Sequence, residues 1–209
     1  AFIKVTSEPA PRILPVGRVL PDGGDYFGPF PRPRLLGDTL RELARVLGLR
    51  DCPGSVPVDF GDQLEIFHRA RPPRCLRVET GSCLGPCCAG CTRQEYAART
   101  ELARRFLEGG SREPLRHLQE EMEEAARSLD FEVAALLRDR LQRLDALQRE
   151  MVAFRGRVEG LSFVYRVPGF KGNRRMYLIR EGLVAEDLPH PRGRVGLLRA
   201  ARKVEEVFG

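Results

Sequence analysis

The chain has 209 residues, room for one ordinary domain or a few small modules, and it has no Trp and 31% charged residues, which argues against a single large core. No apolar run approaches the roughly 20 residues that span a bilayer, and "AFIKVTSEPAPR" lacks the apolar stretch of a secretory signal. The expectation is a soluble, intracellular protein with no membrane partner. It opens on Ala1, as a processed or excised piece of a longer chain would. The net charge of +6 is an arginine surplus, since Lys occurs only at Lys4, Lys171 and Lys203. The guanidinium fork grips phosphate and stacks on bases, so this surplus points toward nucleic acid. A solvated, arginine-rich surface is the plainer alternative.

In chain order, "FIKVT" and "RILPVGRV" carry the β-branched residues of short strands, and "PDGGDYFGPFPRP" reads as turns without regular structure. Within "YFGPFP" the Gly and Pro fix a turn while Tyr26, Phe27 and Phe30 pack. Next, Leu35, Leu36, Leu40, Leu43, Val46 and Leu47 fall at helical spacing and predict a helix of about four turns ending near Gly48. Residues 51–91 read as a long irregular stretch holding all six cysteines. A loop of that length needs something other than secondary structure to organise it.

From Thr92 the pattern becomes helical. "TRQE" is a capping box, and the helix it opens ends at "FLEGG", with Gly109 at C′. A second pattern breaks around Ser128–Asp130 and resumes, placing Leu118, Met122, Ala125, Ala126 and Leu129 on one face of the first arm and Val133, Leu136, Leu137, Leu141 and Leu144 on the corresponding face of the second. The short break predicts an antiparallel helical hairpin, which needs a partner, within the chain or outside it, to bury those faces. "LSFVYRV" and "RRMYLIRE" flank the turn "PGFKGN", "GLVAEDL" adds a third strand, and "VGLLRAARKVEEVF" closes the chain as a helix.

Cys52, Cys75, Cys83, Cys87, Cys88 and Cys91 admit several readings. A reducing compartment disfavours disulfides. A reactive thiol needs a base, and nothing pairs one with His68, His117 or His190. Thiolates around a metal remain the strongest reading, with buried small residues as the alternative. Six sulfurs exceed the four that zinc or a [4Fe–4S] cluster needs, and Cys88-x2-Cys91 is a lone CxxC.

The segments "PRILPVGRVLPDGGDYFGPFP", "LRDC", "RPPRCLRVETGSCLGPC", "EYAARTELARRFLEGG" and "LQEEMEEAARSLDFEVAALLRDRLQRL", in that order, resemble the nucleotide excision repair endonucleases UvrC and Cho over roughly residues 1–150. The resemblance implies that Cys52, Cys75, Cys83 and Cys87 hold a [4Fe–4S] cluster, with Zn²⁺ as the alternative. The Cys52–Cys75 interval is longer than in the family, and Cys88 and Cys91 are extra. It implies that residues 118–144 form the UVR hairpin, which docks on a matching hairpin of a UvrB-like protein through Leu118, Met122, Ala125, Leu129, Phe131, Val133, Leu137 and Leu141. Within that hairpin Arg138 and Asp139 are expected in ion pairs. DNA is the implied nucleic acid, with Arg71, Arg74, Arg77, Arg93, Arg99, Arg104 and Arg105 as candidate phosphate contacts.

The family's GIY-YIG nuclease residues are absent, and Asp187 and His190 lack the further spaced acids of a two-metal site. No catalytic residue is therefore assigned, although the parent protein would be a DNA excision endonuclease. A zinc-binding adaptor that recruits a partner through a UVR hairpin is the rival reading; such adaptors use repeated CxxC pairs and lack "YFGPFP" and "FLEGG". The expected fold is α+β: a small α/β segment at 1–50, a cysteine-rich metal region at 51–91, helices with the hairpin at 92–152, and a small α/β unit at 153–209.

Overall fold

A computed structural model describes residues 1–30, 33–63, 75–168 and 173–209. It resolves the α+β class into two compact units, Ala1–Val152 and Ala153–Gly209. Among the described residues no helix is long and apolar enough to cross a membrane.

In the first unit, β1 (Phe2–Val5) is the central strand of a three-stranded antiparallel sheet, with β2 (Ile13–Val16) on one edge and β3 (Asp25–Phe27) on the other. β3 lies in the segment expected to be turns only. Tyr26 and Phe27 favour a strand, but Gly and Pro crowd them on both sides. What makes it a strand is the open edge of β1, against which Val5 pairs with Asp25, Lys4 with Tyr26 and Ile3 with Phe27. In "YFGPFP", Phe30 is buried and Phe27 packs against the core. Tyr26 is half-buried, donating its hydroxyl to Asp22, with the Lys4 ammonium 5.4 Å from its ring centroid.

α1 (Pro33–Val46) buries Leu36, Leu40 and Leu43 against this sheet, and Leu47 just beyond it is buried too. It ends as predicted. Gly48 takes φ +67° at C′, Gly48 N–H donates to Arg45 O, and Leu49 N–H donates to Ala44 O. The cysteine region is mostly irregular but includes a 3₁₀ turn (Gly61–Gln63) and a one-turn helix α2 (Leu76–Glu79). In the capping box that opens α3 (Arg93–Leu107), the Thr92 hydroxyl accepts from the Glu95 N–H and the Glu95 carboxylate accepts from the Thr92 N–H. Gly109 closes α3 at φ +79°, where a Cβ would stand 2.6 Å from Val152 Cγ2.

α4 (Glu113–Arg127) and α5 (Phe131–Glu159) follow, separated at residues 128–130 as the pattern required. One continuous core runs from Ile3 and Val5 through Leu43, Phe60, Tyr96 and Phe106 to Leu118, Leu137, Leu144 and Met151. The three segments expected at 1–50, 51–91 and 92–152 therefore share a single interior.

The second unit is the antiparallel sheet β4 (Phe163–Val167), β5 (Arg175–Arg180) and β6 (Leu183–Pro189), with α6 (Gly193–Phe208) against it.

Candidate functional site

The cysteine loop is organised by three arginines, Arg12 and Arg50 from before it and Arg77 from within it. The Arg50 side chain is 3% exposed. Its Nη2 donates to Glu8 Oε2 at 2.6 Å, its Nε to Ala10 O at 2.9 Å and its Nη1 to Val56 O at 3.2 Å, leaving Nη1 4.0 Å from Cys52 Sγ. Arg12, bonded to the same Glu8, donates to the Cys52 carbonyl at 3.1 Å. Cys52 is thus gripped at backbone and sulfur by two guanidinium groups sharing one carboxylate. Burial alone would raise the pKa of Glu8, but hydrogen bonds from Arg12 and Thr6 and the charge of Arg50 outweigh it, and the net shift is downward. The Arg50 N–H donates to the Tyr96 hydroxyl, which donates to Pro11 O, so α3 is tied to the same knot.

Arg77 performs the second gathering. Its side chain bridges Leu49 O at 3.1 Å and Ser82 O at 2.8 Å and pairs with Asp51. Those bonds join the segment before Cys52 to the segment between Cys75 and Cys83. Cys75 caps α2, its carbonyl accepting from the Val78 N–H, and the Cys83 N–H donates to Arg77 O. The final turn wraps Gly85, whose carbonyl accepts from the N–H groups of Cys88 and Gly90. Gly90 is required there by close approach: a Cβ would lie 2.5 Å from Leu84 O.

These constraints make neighbours of thiols far apart in sequence. Burial pushes the Cys83 thiol up, and Cys52 and Cys75 add to the push. Cys87 is raised to about 11, first by burial and then by Cys88, Cys52 and Cys83. Cys91 stands apart. It is a buried member of the hydrophobic core, raised to about 12 by burial and then by Glu95. Cys88 donates its thiol to Gly85 O at 3.3 Å. Among the described residues, no three His, Cys, Asp or Glu side chains stand close enough to share one ion.

The candidate phosphate-binding arginines divide by environment. Arg77 is committed to the cysteine loop as described, and Arg104 to Asp25 at 2.6 Å and Glu101 at 3.6 Å. Arg93 is exposed, with its guanidinium 5.6 Å from the Phe60 ring centroid, and Arg99 and Arg105 are exposed on α3. Arg71, Arg74 and His68 lie outside the described residues. Sequence reasoning missed Glu8, Arg12 and Arg50; only the Arg in "LRDC" gave a hint, because their partners lie about 40 residues away.

The helical hairpin splits its apolar residues between two duties. Leu118, Leu137 and Leu144 are buried in the unit's own core, with Met122, Ala125 and Leu141 packed against it. Arg112–Asp145 and Gln148 bonded to Ser111 O fix the base of the hairpin. Toward the tip the apolar side chains face solvent: Leu129 is 73% exposed, Phe131 65%, Leu136 57% and Val133 42%. At the tip, Leu129 N–H donates to Ala126 O and Asp130 N–H to Ala125 O, the same end motif as at Gly48 and Gly109. Here the C′ residue at φ +61° is leucine. Asp130 then caps α5 by accepting from the Val133 N–H at 3.2 Å, and Arg138 and Asp139 form the expected ion pair at 3.0 Å.

Comparison with known proteins supplies the family. The family described as "UvrC/Cho excinuclease, middle domain" matches residues 1–106, the stretch that contains the sheet, α1, the cysteine loop and α3. The "UvrB/uvrC motif" matches residues 112–147, the hairpin. UvrABC system protein C of Actinobacillus succinogenes is 35% identical over 164 residues, 78% of this chain and 25% of that protein. Its counterpart in Haemophilus influenzae is 38% identical over 142 residues, 68% of this chain and 22% of that protein. That of Carboxydothermus hydrogenoformans is 34% identical over 155 residues, 74% and 24%. The chain thus spans about a quarter of the length of these relatives. No solved structure matches it. With the sheet, cysteine loop and α3 matched as one domain, and the hairpin directly following as a second motif, the chain belongs to the UvrC/Cho excinuclease family.

Proposed function

We propose that this chain is the middle portion of a nucleotide excision repair endonuclease, that it docks on a UvrB-like protein through the tip of the α4–α5 hairpin, and that it carries a thiolate-bound cofactor beside the DNA. The observation that carries the reading is the exposed apolar tip, Leu129, Phe131, Val133 and Leu136, within the segment matched by the UvrB/uvrC motif. Four exposed apolar side chains clustered on a hairpin end suit a helix-on-helix contact, while Leu118 and Leu137 brace the hairpin from inside. The match over residues 1–106 to an excinuclease domain favours this over a zinc-binding adaptor.

Cys52, Cys75, Cys83 and Cys87 would hold the cofactor, a [4Fe–4S] cluster with Zn²⁺ as the alternative. The chemistry of the donors supports this: Cys52 and Cys75 act on Cys83, and Cys52 and Cys83 on Cys87, so each added thiolate makes the next costlier, a balance that a bound cation reverses, and binding would draw together thiols that do not yet stand within reach of one ion. When bound, such a centre cross-links the loop as a disulfide would in another compartment. Arg93, Arg99 and Arg105 would meet DNA phosphates. Incision itself is assigned elsewhere: Asp187 is engaged by Arg175 and Glu186 by Lys203.

Titration calorimetry of the chain with a UvrB protein tests the docking. The wild type is expected to bind and Phe131→Ser to lose at least tenfold, with Arg99→Ala as an unaffected control. Equal binding by the wild type and Phe131→Ser would remove the reading.

A further inference from the structure

The second unit, Ala153–Gly209, lies beyond both matched family segments. It holds the whole charge surplus: residues 153–209 contain twelve Lys and Arg against six Asp and Glu, whereas residues 1–152 contain 23 of each.

The sheet of this unit has two unlike faces. α6 covers one. Met176 and Leu178 are buried on it, Arg180 donates to Val207 O, and Lys203 of α6 pairs with Glu186. The strand register then fixes what the other face carries. Tyr165 sits directly across from Tyr177, Phe163 across from Ile179, and Ile179 across from Val184. Phe163 is 44% exposed and Tyr165 55%. Two of the chain's four tyrosines and a phenylalanine therefore stand side by side on a sheet surface, with Asp187 directly across from Tyr177 and neutralised there by Arg175. Arg174, just before β5, and Arg194 on α6 are exposed, as is Arg166, which lies across from Met176 and so on the opposite side of β4.

An aromatic platform on a strongly basic unit matches one kind of occupant. Unpaired bases stack on exposed rings whatever their identity, and guanidinium groups neutralise the strand that carries them. A duplex keeps its base faces stacked and cannot use the rings. A neutral apolar protein surface would cover the rings but has no use for the charge. We infer that the open face of the β4–β5–β6 sheet binds single-stranded nucleic acid, stacking bases on Phe163, Tyr165 and Tyr177. This rests on the second unit alone and is independent of docking through the hairpin.

Anisotropy of labelled oligo-dT and oligo-U of about 15 nucleotides, with the whole 209-residue chain, tests it. The wild type should bind at least one of them, more weakly as salt rises, with quenching of tyrosine fluorescence. The stronger ligand names the sugar, and either supports the site. Replacing both tyrosines by leucine (Tyr165→Leu with Tyr177→Leu) keeps an apolar sheet face but removes two rings. It should weaken strand binding about tenfold or more and leave binding of a duplex of the same length unchanged. The Tyr165→Phe, Tyr177→Phe pair should bind like the wild type. Strand binding that survives the leucine pair, or an equal loss on duplex, would overturn the inference. So would absence of binding to both strands, or a leucine pair that changes only self-association in sedimentation, which would make the face a contact between copies.

Discussion

Arg50 Nη1 lies 4.0 Å from Cys52 Sγ while the same guanidinium binds Glu8 Oε2 at 2.6 Å, so the first thiol of the cysteine loop is held by an ion pair reaching back to the β1–β2 connection. The pair is buried on the arginine side and knits the sheet, the loop and, through Tyr96, helix α3. Removing one member strands the other. Arg50→Met should destabilise the first unit by about 3 kcal/mol, read from urea unfolding.

The same pair sets an acid limb. Glu8 has its folded pKa below the ordinary value of 4.5, so its ionised form contributes stability that is fully present above that value and is lost as the pH falls through the lowered folded pKa. Glu8→Gln should be less stable than the wild type at neutral pH. It should also lose part of the wild type's stability change below pH 4.5, as followed by circular dichroism.

At the hairpin tip, stability and docking oppose each other. Gly48 and Gly109 end their helices in the left-handed region at no steric cost, whereas Leu129 takes the same geometry with a side chain. Leu129→Gly should raise unfolding stability by about 1 kcal/mol and at the same time weaken binding to a UvrB protein. A gain on both counts would mean that the leucine is not kept for contact.

Two apolar residues of one helix should behave oppositely. Leu137 is buried in the core and Phe131 is exposed. Leu137→Ala should cost about 2–5 kcal/mol, and Phe131→Ala should stay within about 0.5 kcal/mol, both by denaturant titration.

What was legible in the sequence was whatever is decided locally. Thr92 and Glu95 declare a capping box within four residues, Gly48 and Gly109 announce the ends of their helices, and the break at 128–130 follows from the loss of apolar period. β3 was hidden because its strand character comes from the vacant edge of β1, some 20 residues back. The cysteines were visible as a group, but Glu8, Arg12 and Arg50 were not, since a charged residue gives no local sign of its partner. Nor did net charge show its location: the arginines singled out near residues 71–105 lie in a unit with balanced charge, and the surplus sits in the other.

For the cysteine loop, anaerobic purification should give a brown protein with roughly four irons and four sulfides per chain. Serine at Cys52, Cys75, Cys83 or Cys87 should abolish them. Serine at Cys91, a core residue, should lower stability and leave the iron count unchanged. A colourless protein with one zinc would replace the cluster by its alternative.

Hydrogen exchange of the chain with and without a UvrB protein reads the docking surface directly. Slowed exchange is expected in amides of residues 126–136 around the exposed tip, with the already buried stretch near Leu144 unchanged. Protection confined to other segments, or none at the tip under saturating partner, would contradict the account.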